Sequence, residues 1–205
     1  MRIGIIGSGT VGQALARGLA RHGHELRIGT RGTDRAELAE FEPSPAAEVA
    51  GWADLVYLSV NGEIAAELAA SLAEVIGSKV VVDTTNPLDF SGGSPGNFVG
   101  TTDSLGERVQ RALPAASVVK SYNIVGNTLM VDPELPGGPP TMLIAGNSEA
   151  AKQTVSDILA STGWDVADLG DITASRWLEA VAMAWVCYGM RTGTWTHAFK
   201  LLRSE

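Results

Sequence analysis

Residues 1–31 read MRIGIIGSGTVGQALARGLARHGHELRIGTR, and this stretch decides the fold. The apolar run Arg2-Ile3-Gly4-Ile5-Ile6 predicts a short strand. Gly7-Ser8-Gly9-Thr10-Val11-Gly12 then sets three glycines at the G-x-G-x-x-G spacing. Gly7 suits a sharp turn out of the strand. Gly9, without a Cβ, lets a pyrophosphate approach the backbone, and Gly12 lets the next helix pack closely on the sheet. That helix is expected to reach about His22, with Gly23 as its stop and a second strand from His24 to Gly29. Its N-terminus would turn free N–H groups and partial positive charge toward a phosphate. A strand–turn–helix–strand unit built on this spacing points to a dinucleotide site. The competing reading is a glycine-rich turn that binds nothing.

The end of the second strand bears on which dinucleotide. An NAD site usually carries Asp or Glu about 20 residues past the first glycines, on the ribose 2′-hydroxyl. Here the strand tip is Gly29-Thr30-Arg31, with Arg35 a turn later and Asp34 only in the loop beyond. Thr30 offers a hydroxyl, and Arg31 a fork of donors suited to phosphate. This pattern favours NADP, the alternative being that Arg31 and Arg35 are solvated residues opening the next helix.

The chain has 205 residues, of which 45% are hydrophobic and 19% charged, a globular balance without disordered bias. That length holds one Rossmann-type domain with a small extra element, and leaves no room for a large all-helical substrate domain. A net charge of −8 argues against nucleic acid or an anionic membrane as main partner. The single Cys187 excludes an internal disulfide, and His22, His24 and His197 make no metal-ligand pattern with it. The sequence opens straight into a strand, and no apolar run is long enough to span a bilayer, so the expectation is a soluble cytoplasmic protein.

Downstream, Asp34 to Phe41 reads as a short helix broken by Glu42-Pro43-Ser44-Pro45, which leaves the third strand vestigial or missing. Pro45 to Ala50 suggests one helical turn. Asp54 to Val60 is a nearly continuous apolar run, as befits a buried parallel strand. Glu63 to Val75 reads as one amphipathic helix, and Lys79 to Asp83 as the next strand. The alternation implies an α/β fold: a Rossmann-type, doubly wound, mostly parallel sheet. Ligands bind such sheets at the strands' carboxyl ends. That places Ser59, Val60 and Asn61, and Thr84, Thr85, Asn86 and Pro87, on the rim as candidate cofactor contacts, although Asn-Gly and Asn-Pro also form turns for their own sake. Phe90 to Thr102 is a Gly- and Ser-rich loop, a candidate acceptor wall or a mere spacer. Asp103 or Ser104 can cap a helix to Leu113, and Ser117 to Asn123 is a strand with a polar end. Lys120 there is a candidate proton donor or cofactor contact, or simply solvated. Further on come a strand from Thr141 to Ala145, a helix from Ser148 to Ser161 and a strand from Trp164 to Leu169. A helix from Thr173 to Arg191 carries Trp177, Val181, Ala184, Trp185 and Tyr188 at helical spacing, and Trp195 to Leu202 is expected to form a last short helix. The division is a dinucleotide-binding domain over 1–170 and a small helical C-terminal element over 171–205.

With these segments placed, the chain resembles the coenzyme F420-dependent NADP reductases and their bacterial relatives. The likeness rests on Ile5 to Gly12, His22 to Glu25 leading into Ile28 to Arg31, Asp83 to Leu88, Val118 to Asn123, Pro140 to Met142, Trp177 to Glu179 and Ala198 to Leu202. It implies an NADP-binding Rossmann domain, usually dimeric, that uses the deazaflavin coenzyme F420 as co-substrate. Carried over by motif, Thr10 and Val11 would touch the pyrophosphate, and Thr30, Arg31 and Arg35 the 2′-phosphate. Relatives often place a proline at the fourth strand's tip, where this chain has Ser59-Val60-Asn61-Gly62.

The expected function is hydride transfer between NADPH and a planar acceptor, foremost the deazaflavin. Proximity supplies much of the acceleration in such chemistry, and no nucleophile–base pair is legible here. The rivals are an NADPH-dependent reductase of a small carbonyl or imine and a non-catalytic NADP sensor. The first rival needs a proton donor, for which Lys120, Tyr122 and His197 are the candidates. The partners expected are a small-molecule acceptor and a second copy of the chain.

Overall fold

The computed structural model describes residues 1–32 and 36–204. The strands and helices follow in chain order. They are β1 (Arg2–Ile6), α1 (Thr10–Arg21), β2 (Glu25–Gly29), α2 (Ala46–Trp52), β3 (Leu55–Leu58), α3 (Gly62–Ser71), α4 (Ala73–Ile76) and β4 (Val80–Asp83). Then come β5 (Leu88–Asp89), β6 (Gly96–Asn97), α5 (Leu105–Ala112), β7 (Ser117–Lys120), β8 (Thr141–Gly146), α6 (Glu149–Ser161), β9 (Asp165–Asp168) and α7 (Ser175–Thr192). Seven strands form one sheet in the order β2-β1-β3-β4-β7-β8-β9. Every pair is parallel except β7 with β8, so the sheet is mostly parallel, as expected.

Strand alternation divides the core into two layers. Successive side chains point to opposite faces, so Ile3, Ile5, Leu55, Tyr57, Val82 and Val119 pack on one side with Leu15, Leu19 and Val155 of α1 and α6. Ile6, Val56, Leu58, Val81 and Val118 pack on the other with Val49, Ala65, Ala69 and Val109 of α2, α3 and α5. With both faces covered, the inner strands can be apolar throughout, and β3 is buried at all four positions.

The missing third strand is reduced to a single bridge between Gly29 and Ser44. A 3-10 turn over Ala36–Phe41 stands where the short helix was expected, and Asp34 and Arg35 lie outside the described residues. The helix expected from Glu63 to Val75 is two helices, parted at Leu72. Part of the Gly- and Ser-rich loop folds as the antiparallel β5–β6 hairpin.

The expected helix from Trp195 to Leu202 is absent; that tail has no regular secondary structure. Gly193, left-handed at φ 71°, ends α7 and turns the chain back. The tail's polar groups are then engaged elsewhere than in a helical ladder. The Phe199 carbonyl accepts from Thr141 N (2.9 Å), Leu201 N donates to Thr141 Oγ1 (3.0 Å), and the His197 carbonyl accepts from Trp185 Nε1 (2.8 Å). Tertiary partners here override the helix propensity of Ala, Lys and Leu. Among the described residues, no helix is long and apolar enough to cross a membrane.

Ser104 caps α5: its Oγ accepts from Glu107 N (3.1 Å) and donates to Glu107 Oε2 (2.7 Å). Arg176 of α7 grips the same carboxylate through two bonds of 2.8 and 2.6 Å, fastening α7 to α5. The Arg176 hydrogen bonds hold the Glu107 carboxyl below its usual 4.5 against the opposing pull of burial, and bonds from Arg2 hold Asp54 at about 2. Depressed carboxyls stabilise the fold above their unfolded pKa and lose that contribution as pH falls through the folded value. Thermal melts should therefore drop steadily from about pH 4.5 toward about 2, and Glu107→Gln should lower stability at pH 7 while flattening this acid limb.

Candidate functional site

The site begins where β1 ends. Gly7 sits at φ 124°, and a Cβ there would fall 2.1 Å from the Ser59 carbonyl oxygen. Only glycine lets the turn pass so close to the end of β3. A Cβ on Gly12 would meet the Gly7 carbonyl at 2.0 Å, so this glycine sets the closeness of α1 to the turn. Gly9 faces open space and has no side-chain cap on the helix it begins. The N-terminus of α1 is thus presented, bare, in the crevice between β1 and β3, where the strand order departs in two directions.

Two adjoining grooves open there. One, of about 310 Å³, is lined by Gly7, Ser8, Gly9, Thr30 and Arg31, with Ser59 to Asn61. Arg31 is exposed on this rim. Ser8 Oγ and Thr30 Oγ1 lie 3.0 Å apart, joining the turn to the tip of β2. The second groove, of about 620 Å³, runs from Gly9, Thr10 and Val11 across Ser59 to Glu63 and Thr84 to Asn86, and reaches Leu88 to Ser91 of the hairpin. Its floor is bonded. Thr84 Oγ1 donates to the Leu58 carbonyl (3.0 Å) and so accepts from Ser59 Oγ (3.0 Å). Asn61 caps α3 by accepting from Glu63 N (3.0 Å).

Nearly every residue singled out in the sequence for the cofactor comes to these walls. Gly12 does not; it supports the turn from behind. Pro87 is buried outside the lining and acts through its carbonyl, which accepts from Phe98 N (2.9 Å) and holds the hairpin. Arg35 lies outside the described residues. Phe90 and Ser91, from the loop read as a candidate acceptor wall, line the larger groove, as does Gly62 at the strand tip. Glu63 and Asp89 also line it and were missed; their places next to the turn-forming Asn61-Gly62 and to Phe90 were the available signals.

None of the three candidate proton donors lines either groove. Tyr122 is fully buried edge-on to Tyr57, and burial pushes its hydroxyl up to about 12. His197 stacks on Trp185, its Nε2 facing that residue's carbonyl. Lys120 is neither solvated nor free: it is wholly buried, its Nζ 3.0 Å from Asp83 Oδ2, 3.1 Å from Glu179 Oε1 and 2.6 Å from the Thr85 carbonyl. Burial opposes its charge, but the two carboxylates outweigh it and hold the ammonium pKa above its ordinary value. Asp83 also accepts from Thr85 N (2.9 Å) and Thr85 Oγ1 (2.7 Å), and Glu179 from Leu105 N (3.0 Å) and Gly106 N (2.9 Å) at the start of α5. Lys120 therefore fixes the groove wall at Thr85. No group of three or more His, Cys, Asp or Glu able to hold a metal occurs among the described residues.

Comparison with known proteins follows this geometry. Residues 2–87 match the family described as NADP oxidoreductase, coenzyme F420-dependent. A crystal structure assigned to an F420-dependent NADP-reductase from Arthrobacter sp. FB24 is 40% identical, covers 99% of this chain and all of its own, and superposes with a TM-score of 0.92. The F420-dependent NADP reductase of Methanothermobacter marburgensis is 28% identical over 202 residues, 88% of this chain and 89% of its own. Rat metalloreductase STEAP3 is 28% identical over 188 residues; the match takes in 89% of this chain but spans only 36% of that protein.

Removing one partner of a buried ion cluster leaves charge uncompensated, which costs about 3–5 kcal/mol. Lys120→Met should shift urea melts by that order. Arg2→Met, which breaks a half-exposed pair with Asp54, should cost clearly less. Equal costs would remove Lys120 from its place as the keystone of this wall.

Proposed function

The chain belongs to the coenzyme F420-dependent NADP oxidoreductase family and is an NADP-dependent oxidoreductase, and from that premise we propose that it passes a hydride between NADPH and a planar acceptor, foremost the deazaflavin ring of coenzyme F420. The observation that carries this is the continuous crevice from Arg31, past the bare N-terminus of α1, to the hairpin at Phe90.

The residues present fit the cofactor. Gly9 leaves the space a pyrophosphate needs, with the backbone of Thr10 and Val11 beside it. Thr30 and Arg31, with Arg35, would hold the 2′-phosphate. Ser59, Val60 and Asn61 with Thr84 and Asn86 would take the nicotinamide ribose and carboxamide. When bound, the dihydronicotinamide supplies two electrons and one proton as a hydride. The acceptor then takes its second hydrogen as a proton from water. The chain's part is to hold two flat rings in reach of one another and to keep the wall between them rigid. Reduction of a carbonyl or imine would call for a positioned acid, and among the described residues the larger groove offers the carboxylates Glu63 and Asp89 alone.

We also infer a homodimer formed through residues 171–205. Trp177 and Tyr188 are more than half exposed on α7, beside exposed Ala184 and Cys187. Trp177 to Met190 carries a single charge, that of the buried Glu179. An uncharged face with aromatic anchors is suited to self-association. Light scattering should give a dimer at micromolar concentration, and Trp177→Glu a monomer; a monomeric wild type would refute the assignment.

The cofactor reading is tested by titrating wild type and Arg31→Ala with NADPH and NADH. A charge-assisted bond to the 2′-phosphate is worth about 1.5–3 kcal/mol. The variant should thus bind NADPH about tenfold or more weakly, with NADH scarcely changed. Equal binding of both by wild type would overturn it. NADPH oxidation with deazaflavin, FMN, ferric chelates and small ketones then ranks the acceptors.

A further inference from the structure

Asn86 stands on the lining of the larger groove, just past the end of β4, and is clamped from two directions. Its carbonyl packs on the first residue of α3, where a Cβ on Gly62 would fall 2.1 Å from the oxygen. Its side chain is taken up by Asn123. Asn86 Nδ2 donates to the Asn123 carbonyl (2.7 Å), and Asn123 Nδ2 donates back to Asn86 Oδ1 (3.1 Å). Asn123 Nδ2 also donates to the Leu178 carbonyl of α7 (3.1 Å). Main-chain carbonyls stand at both ends of this chain of bonds and can only accept, so each amide has one orientation.

Asn123 itself does not face the groove. It is 4% exposed and belongs to neither lining. Its Oδ1 is buried without a hydrogen-bond partner among the described residues, a loss that an apolar side chain would avoid. Tyr122, just before it, sits at φ 61°, a left-handed conformation uncommon for a bulky aromatic. That turn ends β7 and brings Asn123 to Asn86. An unmet polar atom beside a strained backbone marks a place where function holds a geometry that stability alone would not choose.

What Asn86 has left for a ligand follows by subtraction. Its carbonyl lies against α3, and its Oδ1 receives Asn123. Two donors remain, the second hydrogen of Nδ2 and the main-chain N–H, which makes no hydrogen bond among the described residues. Pro87, next in the chain, has no N–H to add. A pair of donors suits an acceptor oxygen.

We propose that Asn123 is a positioning residue of the cofactor site: it fixes Asn86 so that the remaining donors of Asn86 meet the carboxamide oxygen of the nicotinamide. The proposal rests on the cofactor placement given above and deepens it. With Arg31 assigned to the 2′-phosphate, the far end of the dinucleotide is held by charge. At this end a neutral amide pair, anchored on α7, sets how the ring lies.

The test compares NADP+ with three other ligands, each titrated into the full-length protein so that binding is read without turnover. The 3-acetylpyridine analogue keeps the carbonyl oxygen and loses the amide NH2. The thionicotinamide analogue puts sulfur, a weaker acceptor, in place of the oxygen. 2′-Phospho-ADP-ribose lacks the ring. Wild type should bind the acetylpyridine analogue within about twofold of NADP+, and the thionicotinamide analogue about 2- to 12-fold more weakly, the range of one neutral hydrogen bond. Asn123→Ala should weaken NADP+ and the acetylpyridine analogue by a like factor and close the gap to the thionicotinamide analogue. It should leave 2′-phospho-ADP-ribose within about twofold. Asn86→Ala should give the same pattern, and the double variant no further loss, because the two residues act as one unit. Asn123→Ser keeps a donor in the buried seat and should fall between wild type and alanine; it carries the test if the alanine variant does not fold. The proposal is overturned if wild type ignores the sulfur, if the Asn123 variants change nothing, if they weaken all four ligands alike, or if the losses at Asn86 and Asn123 simply add. Wild type that binds no NADP+ sinks the cofactor reading as well; wild type that binds NADP+ but ignores the sulfur sinks this proposal alone.

Discussion

One buried ammonium holds the far half of this molecule in register. β4 and β7 pair so that Asp83 lies opposite Lys120, and the parallel sheet brings both tips to the same edge. A lysine fully withdrawn from water is tolerable only when its charge and its donors are met. Here Asp83, Glu179 and the Thr85 carbonyl meet them. The cluster carries one positive and two negative charges, and the N–H groups of Leu105 and Gly106 at the start of α5 answer the excess. Strand tips, α5 and α7 are joined at this point. Asn123 extends the joint, bonding the Leu178 carbonyl and Asn86 Oδ1, each at 3.1 Å.

The near half depends on a different constraint, the absence of side chains. The turn after β1 passes the end of β3 at a distance no Cβ allows, and α1 begins against the same turn. The crevice therefore has one wall made of backbone and another made of side chains braced by a salt cluster. The first suits a ligand recognised by charge and hydrogen bonds, such as a pyrophosphate. The second can differ in its lining without disturbing the first, because its shape is fixed from behind by Lys120.

This division explains what could be read from the sequence. The glycine spacing, the apolar strands and Thr30-Arg31 are local signals: each residue's role follows from neighbours within a few positions. The doubly wound sheet and most of the groove lining followed from them, as did the vestigial third strand. Lys120 was misjudged because its partners lie 37 and 59 positions away in sequence. At a strand end the ordinary inference is solvent, and only the tertiary fold shows otherwise. Glu179 left one trace, as the sole charge within the run Trp177 to Met190. A lone acid in so apolar a helix is seldom buried without a partner.

The tail shows the same limit from the other side. Trp195 to Leu202 has residues that a helix accepts, yet it forms no regular structure. Its conformation is decided by Thr141, which offers both a backbone N–H and a hydroxyl at the buried start of β8. It is decided also by Trp185, whose indole N–H reaches the His197 carbonyl. Trp195 closes over Gly189, where a Cβ would come within 2.5 Å of its ring, so the absence of one side chain in α7 makes the seat for another. The strap is thus specified by residues of β8 and α7 as much as by its own. The hairpin at Phe90 obeys the same logic, since Pro87 and α7 fix it. Both segments flank the half of the molecule where an acceptor or a second subunit would come, and both owe their form to contacts across the fold. The glycine turn and strand tips of the crevice, written in backbone and short motifs, are legible from one sequence. The hairpin and the braced wall, assembled from distant segments, become legible only when the fold brings them together.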